Sequence, residues 1–270
     1  MNNGIRPIPG KCTKIAVSSF KGGAGKTATA VNLAAGIKLI HPEARVLIVD
    51  TDAQGNVRAY FGLRLMGKAD FANFLLKGEL SEEGFHKVQI EGKEIDLFLT
   101  SSKLADAETE LQKLPKRDEM MRIRFEKSGL ESQYDFIIVD TSPYMGLMNV
   151  NVFTFVDYVL IPVNMDAFTF ITVQGVINNL ETLKGWYEKE PKILGILPTR
   201  VDKRSATERT ILESIVQHFG GKYKIFDPIN QDAGVKRASV KKQFIYDLDV
   251  RASAQYEFLT KGVMEIIGNG

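Results

Sequence analysis

The sequence has one cysteine, Cys12, and one tryptophan in 270 residues. A lone thiol excludes an internal disulfide framework and every metal or iron–sulfur centre that needs several thiolates from one chain. Such sparing use points to a reducing, cytosolic setting. Long apolar runs are also missing. The greasiest stretch, VFTFVDYVLIPV, is cut by Asp157 and is too short to span a bilayer, and MNNGIRPIPGKCTK at the start has no apolar segment of signal-peptide length. No internal repeat, low-complexity tract or Pro/Gly/Ser-rich linker divides the chain, so the expected organisation is one domain over 1–270 with a flexible 1–12. Nor is there an excess of one charge: 35 Lys/Arg against 33 Asp/Glu leave a net +2.

What is present is the composition of an ordinary globular protein, 44% hydrophobic and 25% charged. Short β-branched runs alternate with helical patterns: KIAVSSF (14–20), RVLIVD (45–50), EIDLFLTS (94–101), DFIIVD (135–140), DYVLIPV (157–163), KILGILPT (192–199) and KIFDPI (224–229). Continuous apolar strands separated by helices predict an α/β fold with a mostly parallel, twisted sheet and helices on both faces. KTATAVNLAAGIKLI reads as a helix whose apolar stripe is Val31, Leu33, Ala34 and Ile37, ending near Pro42.

Between the first strand and that helix lies FKGGAGKTATA. Gly25, Lys26 and Thr27 fit the end of G-x-x-x-x-G-K-[ST], a loop whose backbone N–H groups cradle phosphates while its lysine reaches the outer ones and its hydroxyl holds Mg²⁺. The strand-to-helix context is the one that chemistry requires. The predicted cradle comprises Gly22, Gly23, Ala24, Gly25, Lys26, Thr27 and Ala28. It is a variant, since Phe20 replaces the first glycine and a second lysine, Lys21, precedes Gly22.

In an open parallel sheet ligands bind beyond the carboxyl ends of the strands. Two strands end there in aspartate, at VLIVDTDAQGN and FIIVDTSPYMG. Mg²⁺ takes one or two protein oxygens plus water and phosphate. Thr27 as direct ligand and Asp140 through a water suit it, with Asp50 at the neighbouring strand end completing the candidate metal set. Asp52, in the glycine-containing loop, is the candidate for orienting an attacking water.

Taken together, KGGAGKT, VLIVDTDAQGN and FIIVDTSPYMG resemble the deviant-Walker ATPases of the ParA/MinD family, over roughly 13–268, with LTSSKLADAETEL and DYVLIPVNMDAFTFITVQGV similar to its middle region. About a dozen residues precede the first strand, which is similar to the short ParA-type members without an N-terminal helix-turn-helix domain. Ala28, Ala53 and Thr141-Ser142-Pro143 depart from the commonest family residues without removing a phosphate or Mg²⁺ ligand. The resemblance implies ATP and Mg²⁺ as cofactors, and catalytic roles for Lys21, Lys26 and Asp52. It gives Lys21 the part of a cation reaching across an ATP-bound homodimer to the twin's phosphates. It also places Arg200 and the loop with Asp227 and Pro228 at the adenine base.

Two outcomes within the family remain to be separated. MinD-like members end in a basic amphipathic helix that lies on the membrane. Here Ala252, Tyr256, Leu259, Val263 and Ile266 follow a helical period with only Arg251 and Lys261 as cations, which reads as core packing and argues against a membrane partner. ParA-type members bind DNA without sequence preference. From 192 to 251 there are twelve Lys/Arg against seven Asp/Glu, and VKRASVKK supplies four of the cations. A run of this kind is ordinarily a solvated face. With the resemblance, Lys203, Arg204, Lys236, Arg237, Lys241, Lys242 and Arg251 become candidate phosphate contacts. The expectation is a cytoplasmic, nucleoid-associated partition ATPase released from DNA when a ParB-like or other adaptor stimulates hydrolysis. A membrane-positioning ATPase, or one that positions a protein cargo on the nucleoid, is the alternative.

Overall fold

The computed structural model describes residues 12–65, 70–187, 190–248 and 250–268. Residues 1–11, nearly all of the stretch expected to be flexible, lie outside the described residues. One sheet of eight strands runs through the molecule: β1 (Thr13–Val17), β2 (Val46–Asp50), β3 (Phe85–Ile90), β4 (Lys93–Phe98), β5 (Phe136–Asp140), β6 (Tyr158–Asn164), β7 (Lys192–Val201) and β8 (Ile229–Asn230), in the order β3-β4-β2-β5-β1-β6-β7-β8. All pairs are parallel except β3 with β4. The helices are α1 (Lys26–Ile40), α2 (Asn56–Phe61), α3 (Phe71–Lys77), α4 (Lys103–Leu111), α5 (Met120–Ser128), α6 (Leu147–Phe155), α7 (Thr169–Leu183), α8 (Ala206–Phe219), α9 (Ala233–Lys241) and α10 (Arg251–Gly268).

The central strands are apolar throughout because both their faces are covered. Every residue of β1, β2 and β5 is buried. Ala16, Leu47, Val49, Ile137 and Val139 point to a layer containing α3 to α8, and Ile15, Val17, Ile48 and Ile138 point to a layer containing α1, α2, α9 and α10. This is the period-two alternation of strands buried on two sides.

Three expectations need correcting. α1 has the predicted bounds, but it carries no one-sided stripe: Ala30, Val31, Leu33, Ala34, Ala35 and Ile37 are all fully buried, because α10 covers the side that the sheet does not. β3 escaped the sequence reading because it is half exposed and neither continuously apolar nor cleanly alternating. Its signal was the turn Glu91-Gly92, with φ of 47° and 73°, the left-handed pair that closes a two-residue hairpin. The KIFDPI strand shrinks to Ile229–Asn230, with Ile225 forming only an isolated bridge to Ile196.

α10 packs as expected, burying Ala252, Tyr256, Leu259 and Val263, although Ile267 rather than Ile266 completes the buried face. It meets α1 at Gly36, where an added Cβ would lie 2.3 Å from Thr260 Oγ1 and 2.6 Å from the hydroxyl of Tyr246, which precedes α10. Overpacking of this kind costs about 1–3 kcal/mol. Gly36→Ala is therefore expected to lower the thermal unfolding midpoint by several degrees; an unchanged midpoint would mean that the two helices separate freely.

Candidate functional site

The β1–α1 connection is shaped by two glycines in the left-handed region, Gly23 (φ 76°) and Gly25 (φ 81°), a conformation that side chains with a Cβ resist. Gly25 is also the N-cap of α1 and offers no side chain to its first turn. The helix thus presents uncapped N–H groups and the positive end of its dipole to the adjoining cleft, an arrangement suited to an anion. The loop is braced from behind. Asn164 Nδ2 and Arg200 Nη1 both donate to the Gly23 carbonyl, at 3.2 and 3.3 Å, and the Thr199 hydroxyl lies 2.9 Å from the Ala24 carbonyl. Lys26 folds back into the loop, its ammonium 3.1 Å from the Ser19 carbonyl and 3.2 Å from that of Lys21. Burial lowers its pKa, opposed by the charges of Asp140 and Asp52.

Beneath the loop the parallel register sets Asp50 directly beside Asp140, at the carboxyl ends of β2 and β5. Both are almost fully buried. The two differ in how they are held. Asp50 accepts hydrogen bonds from the Asp52 and Val57 N–H groups, both at 3.1 Å, so its carboxylate ties the loop and the start of α2 to the sheet. Burial, then the charge of Asp140, pushes its pKa well above the ordinary carboxylate value. Asp140 accepts from the Thr27 hydroxyl through Oδ2 at 2.6 Å, while its Oδ1 is buried without a partner. Burial pushes its pKa up to about 7, with Asp52 adding to the rise and Thr27 and Lys26 opposing it.

An orphaned carboxylate oxygen beside a threonine hydroxyl and an anion cradle fits Mg²⁺, a hard cation that takes oxygen ligands. Among the described residues no group of three or more His, Cys, Asp or Glu could hold a metal ion alone. Thr27 and Asp140 would be the protein's share, and phosphate and water the remainder. Of the predicted metal set, Asp50 is the member engaged with backbone N–H groups instead.

Asp52 lines the cleft but is not loose. Its Oδ1 accepts from the Gln54 N–H at 3.0 Å and its Oδ2 from Asn56 Nδ2 at 2.8 Å, so the glycine-containing loop is tied by its own carboxylate. Lys21 points to neither cradle nor cleft. Its ammonium forms an ion pair with Asp166 of the same chain and sits 5.5 Å from the Phe168 ring centroid. Burial works against the Asp166 charge, but the hydrogen bonds from Lys21 and the Phe168 N–H outweigh it and hold that pKa below the usual value.

The cleft has a volume of about 800 Å³ and runs from Gly22–Ala28 and Asp52 toward α9. At the far end the sequence reading needs correction. Asp227 and Pro228 do not line it; Ile229, Asn230, Gln231 and Asp232 do, together with Asn56, Tyr60 and Tyr256. The Pro228 carbonyl is engaged by Gln255 Nε2 at 2.8 Å, and Pro228 and Asp227 sit one step outside the wall. Asn230 was missed because it ends a strand of only two residues, two positions after Pro228. Asp232 was also missed. It is the N-cap of α9, accepting from the Gly234 N–H at 2.6 Å, and it reaches the Ala252 N–H at 3.3 Å in the first turn of α10.

The predicted basic residues are all exposed, but they do not form one patch with one environment. Arg204 is held by both oxygens of Asp202, at 3.0 and 3.1 Å. Lys236 lines the cleft with Ser239 and Val240, whereas Arg237 and Lys241 lie on α9 outside that lining. Lys242 closes α9 with φ 59° and lays its stem against Gly62, leaving no room there for a Cβ. Among the described residues no helix is long and apolar enough to cross a membrane.

A family model described as an AAA domain matches residues 12–193. The chain is 31% identical to the chromosome-partitioning ATPase Soj of Thermus thermophilus over 78% of this chain and 79% of that protein. It is 27% identical to the chromosome partitioning protein ParA of Caulobacter vibrioides over 93% of each. Among solved structures, Cyanothece apo McdA superposes with a TM-score of 0.81 at 20% identity, covering 95% of this chain and 99% of that one. That last likeness concerns the fold.

Proposed function

Because the chain belongs to the ParA/Soj family of P-loop partition ATPases, we propose that it is a DNA-partition ATPase whose ATP-bound homodimer binds DNA without sequence preference. Hydrolysis stimulated by a ParB-like or other adaptor then releases it. The observation that carries this reading is the convergence on one cleft of an uncapped helix N-terminus, the Lys26 ammonium, the Thr27–Asp140 pair and Asp52.

The residues divide the work as phosphoryl transfer requires, by position and charge rather than by covalent chemistry. Backbone N–H groups from Gly22 to Ala28 receive the phosphates, and Lys26 exchanges its carbonyl partners for the outer ones. Thr27 and Asp140 would hold Mg²⁺, which would supply positive charge against the phosphate oxygens. Asp52 accepts a hydrogen bond from the attacking water. Lys21 leaves Asp166 and reaches the triphosphate held by the twin, so that nucleotide binding and pairing become one event.

For DNA, the exposed cations Lys203, Arg237, Lys241, Lys242 and Arg251 supply phosphate contacts that position the protein without reading bases, with Arg204 available once it leaves Asp202. Lys236, facing the cleft, is the member least suited to that surface. α10 spends its apolar face on α1, which speaks for DNA rather than a membrane as the surface bound.

The test is charge reversal, Lys241→Glu with Lys242→Glu, read by ATP-dependent retention on DNA across a salt series. Retention is expected to collapse while dimerisation with ATP persists. Each lysine that neutralises a phosphate contributes about 0.9 to the slope of log K against log salt, so restoring one at a time should recover the slope stepwise. Undiminished binding would move the DNA surface elsewhere.

A further inference from the structure

Arg200 occupies a position that neither a strand nor an ordinary loop explains. β7 pairs with β8 through Thr199↔Ile229 and Val201↔Asn230, so two steps along β7 match one step along β8, and Arg200 is the extra residue of a bulge. Its φ is 56°, in the left-handed region where a Cβ is disfavoured. Bulges next to active sites re-aim a side chain, and non-glycine residues held in left-handed backbone cluster at functional sites. Here the re-aimed side chain goes to the glycine loop. Its Nη1 donates to the Gly23 carbonyl and the residue lines the cleft together with Gly22–Ala28.

A brace for the loop would not need an arginine. Asn164 Nδ2 already donates to the same carbonyl at 3.2 Å, and the Arg200 bond, at 3.3 Å, uses one of five N–H donors. Among the described residues the guanidinium has no carboxylate partner. It lies instead beside the uncapped N-terminus of α1 and the loop that carries Lys26. A helix N-terminus is suited to an anion, and the guanidinium fork matches phosphate oxygens. The contact at Gly23 brings the guanidinium to the glycine loop, although its backbone stays in β7 beside Ile229 and Asn230.

We propose that Arg200 is a phosphate-contacting residue, a cation that a strained bulge in β7 holds over the glycine loop to engage the triphosphate in its own subunit. This rests on reading the cleft as the ATP site, and it gives Arg200 a different partner from the adenine base.

Glycine separates the cation from the backbone that delivers it, because it adopts φ 56° freely. Arg200→Gly is expected to unfold at or above the wild-type temperature and yet bind AMPPNP at least tenfold more weakly, with Arg200→Lys recovering part of the loss. Inorganic tripolyphosphate, measured by displacement of a fluorescent ATP analogue, should weaken by a similar factor. Wild-type affinity for AMPPNP in Arg200→Gly would overturn the proposal, and so would a loss for AMPPNP with none for tripolyphosphate, which would make Arg200 a base contact. Lys26→Ala serves as the control. If it binds AMPPNP as well as the wild type does, the ATP site itself has been misread and the proposal falls with it; if it loses binding while Arg200→Gly does not, only the proposal falls.

Discussion

Lys21→Ala is expected to bind Mg²⁺ and ATP with little loss, to remain monomeric when it does so, and to hydrolyse ATP slower by about 10³ or more, the range over which a cation supplied in trans acts. The geometry explains why binding should survive. Lys21 contributes its backbone carbonyl to Lys26, which alanine keeps, and its ammonium is engaged with Asp166 and the Phe168 ring rather than with the cradle. Folding should survive as well. Both partners of the ion pair are partly exposed, and such pairs contribute about 0–1 kcal/mol. A monomer at saturating ATP, seen by sedimentation alongside an unaltered unfolding midpoint, would locate the defect in pairing. A variant that still dimerises with ATP would remove Lys21 from the interface. Asp166→Asn gives the complementary result: freeing the ammonium should shift the dimerisation curve to lower ATP.

The second large effect is expected at Asp52. Asp52→Ala should slow hydrolysis by about 10² to 10⁴, the usual contribution of a positioned acid–base group, while the ATP dimer forms and stays on DNA. Because Asp52 also accepts from the Gln54 N–H and the Asn56 amide, alanine removes loop ties together with the acceptor. Asp52→Asn distinguishes the two losses. Its amide oxygen can still accept from Gln54 but has lost the negative charge, so a chemical role predicts equally slow turnover in both variants. Restored turnover in Asp52→Asn would make the residue a loop tie only.

The parts of this site that are legible in sequence are those whose chemistry is local. Gly23 and Gly25 must be glycine for their φ, Lys26 and Thr27 follow at fixed spacing, and a buried strand that ends in aspartate announces Asp50 and Asp140. The bounds of α1 follow from the glycine before it and the proline after it. What sequence does not carry is long-range placement. Lys21 meets Asp166 across 145 positions, and the choice between Asp227-Pro228 and Ile229–Asp232 as cleft wall depends on where a strand of two residues joins β7. The bulge at Arg200 is a register slip between two strands, which no single strand's pattern encodes. α1 misled in another way: its burial on all sides is set by α10, more than two hundred residues downstream.

α9 is nine residues long, with Lys236, Ser239 and Val240 in the cleft wall and Arg237 and Lys241 outside it. An engineer who resized the pocket by substitution on this helix would at the same time re-aim its outer cations. Pocket variants that leave those cations in place are therefore better sought at Ile229, on β8.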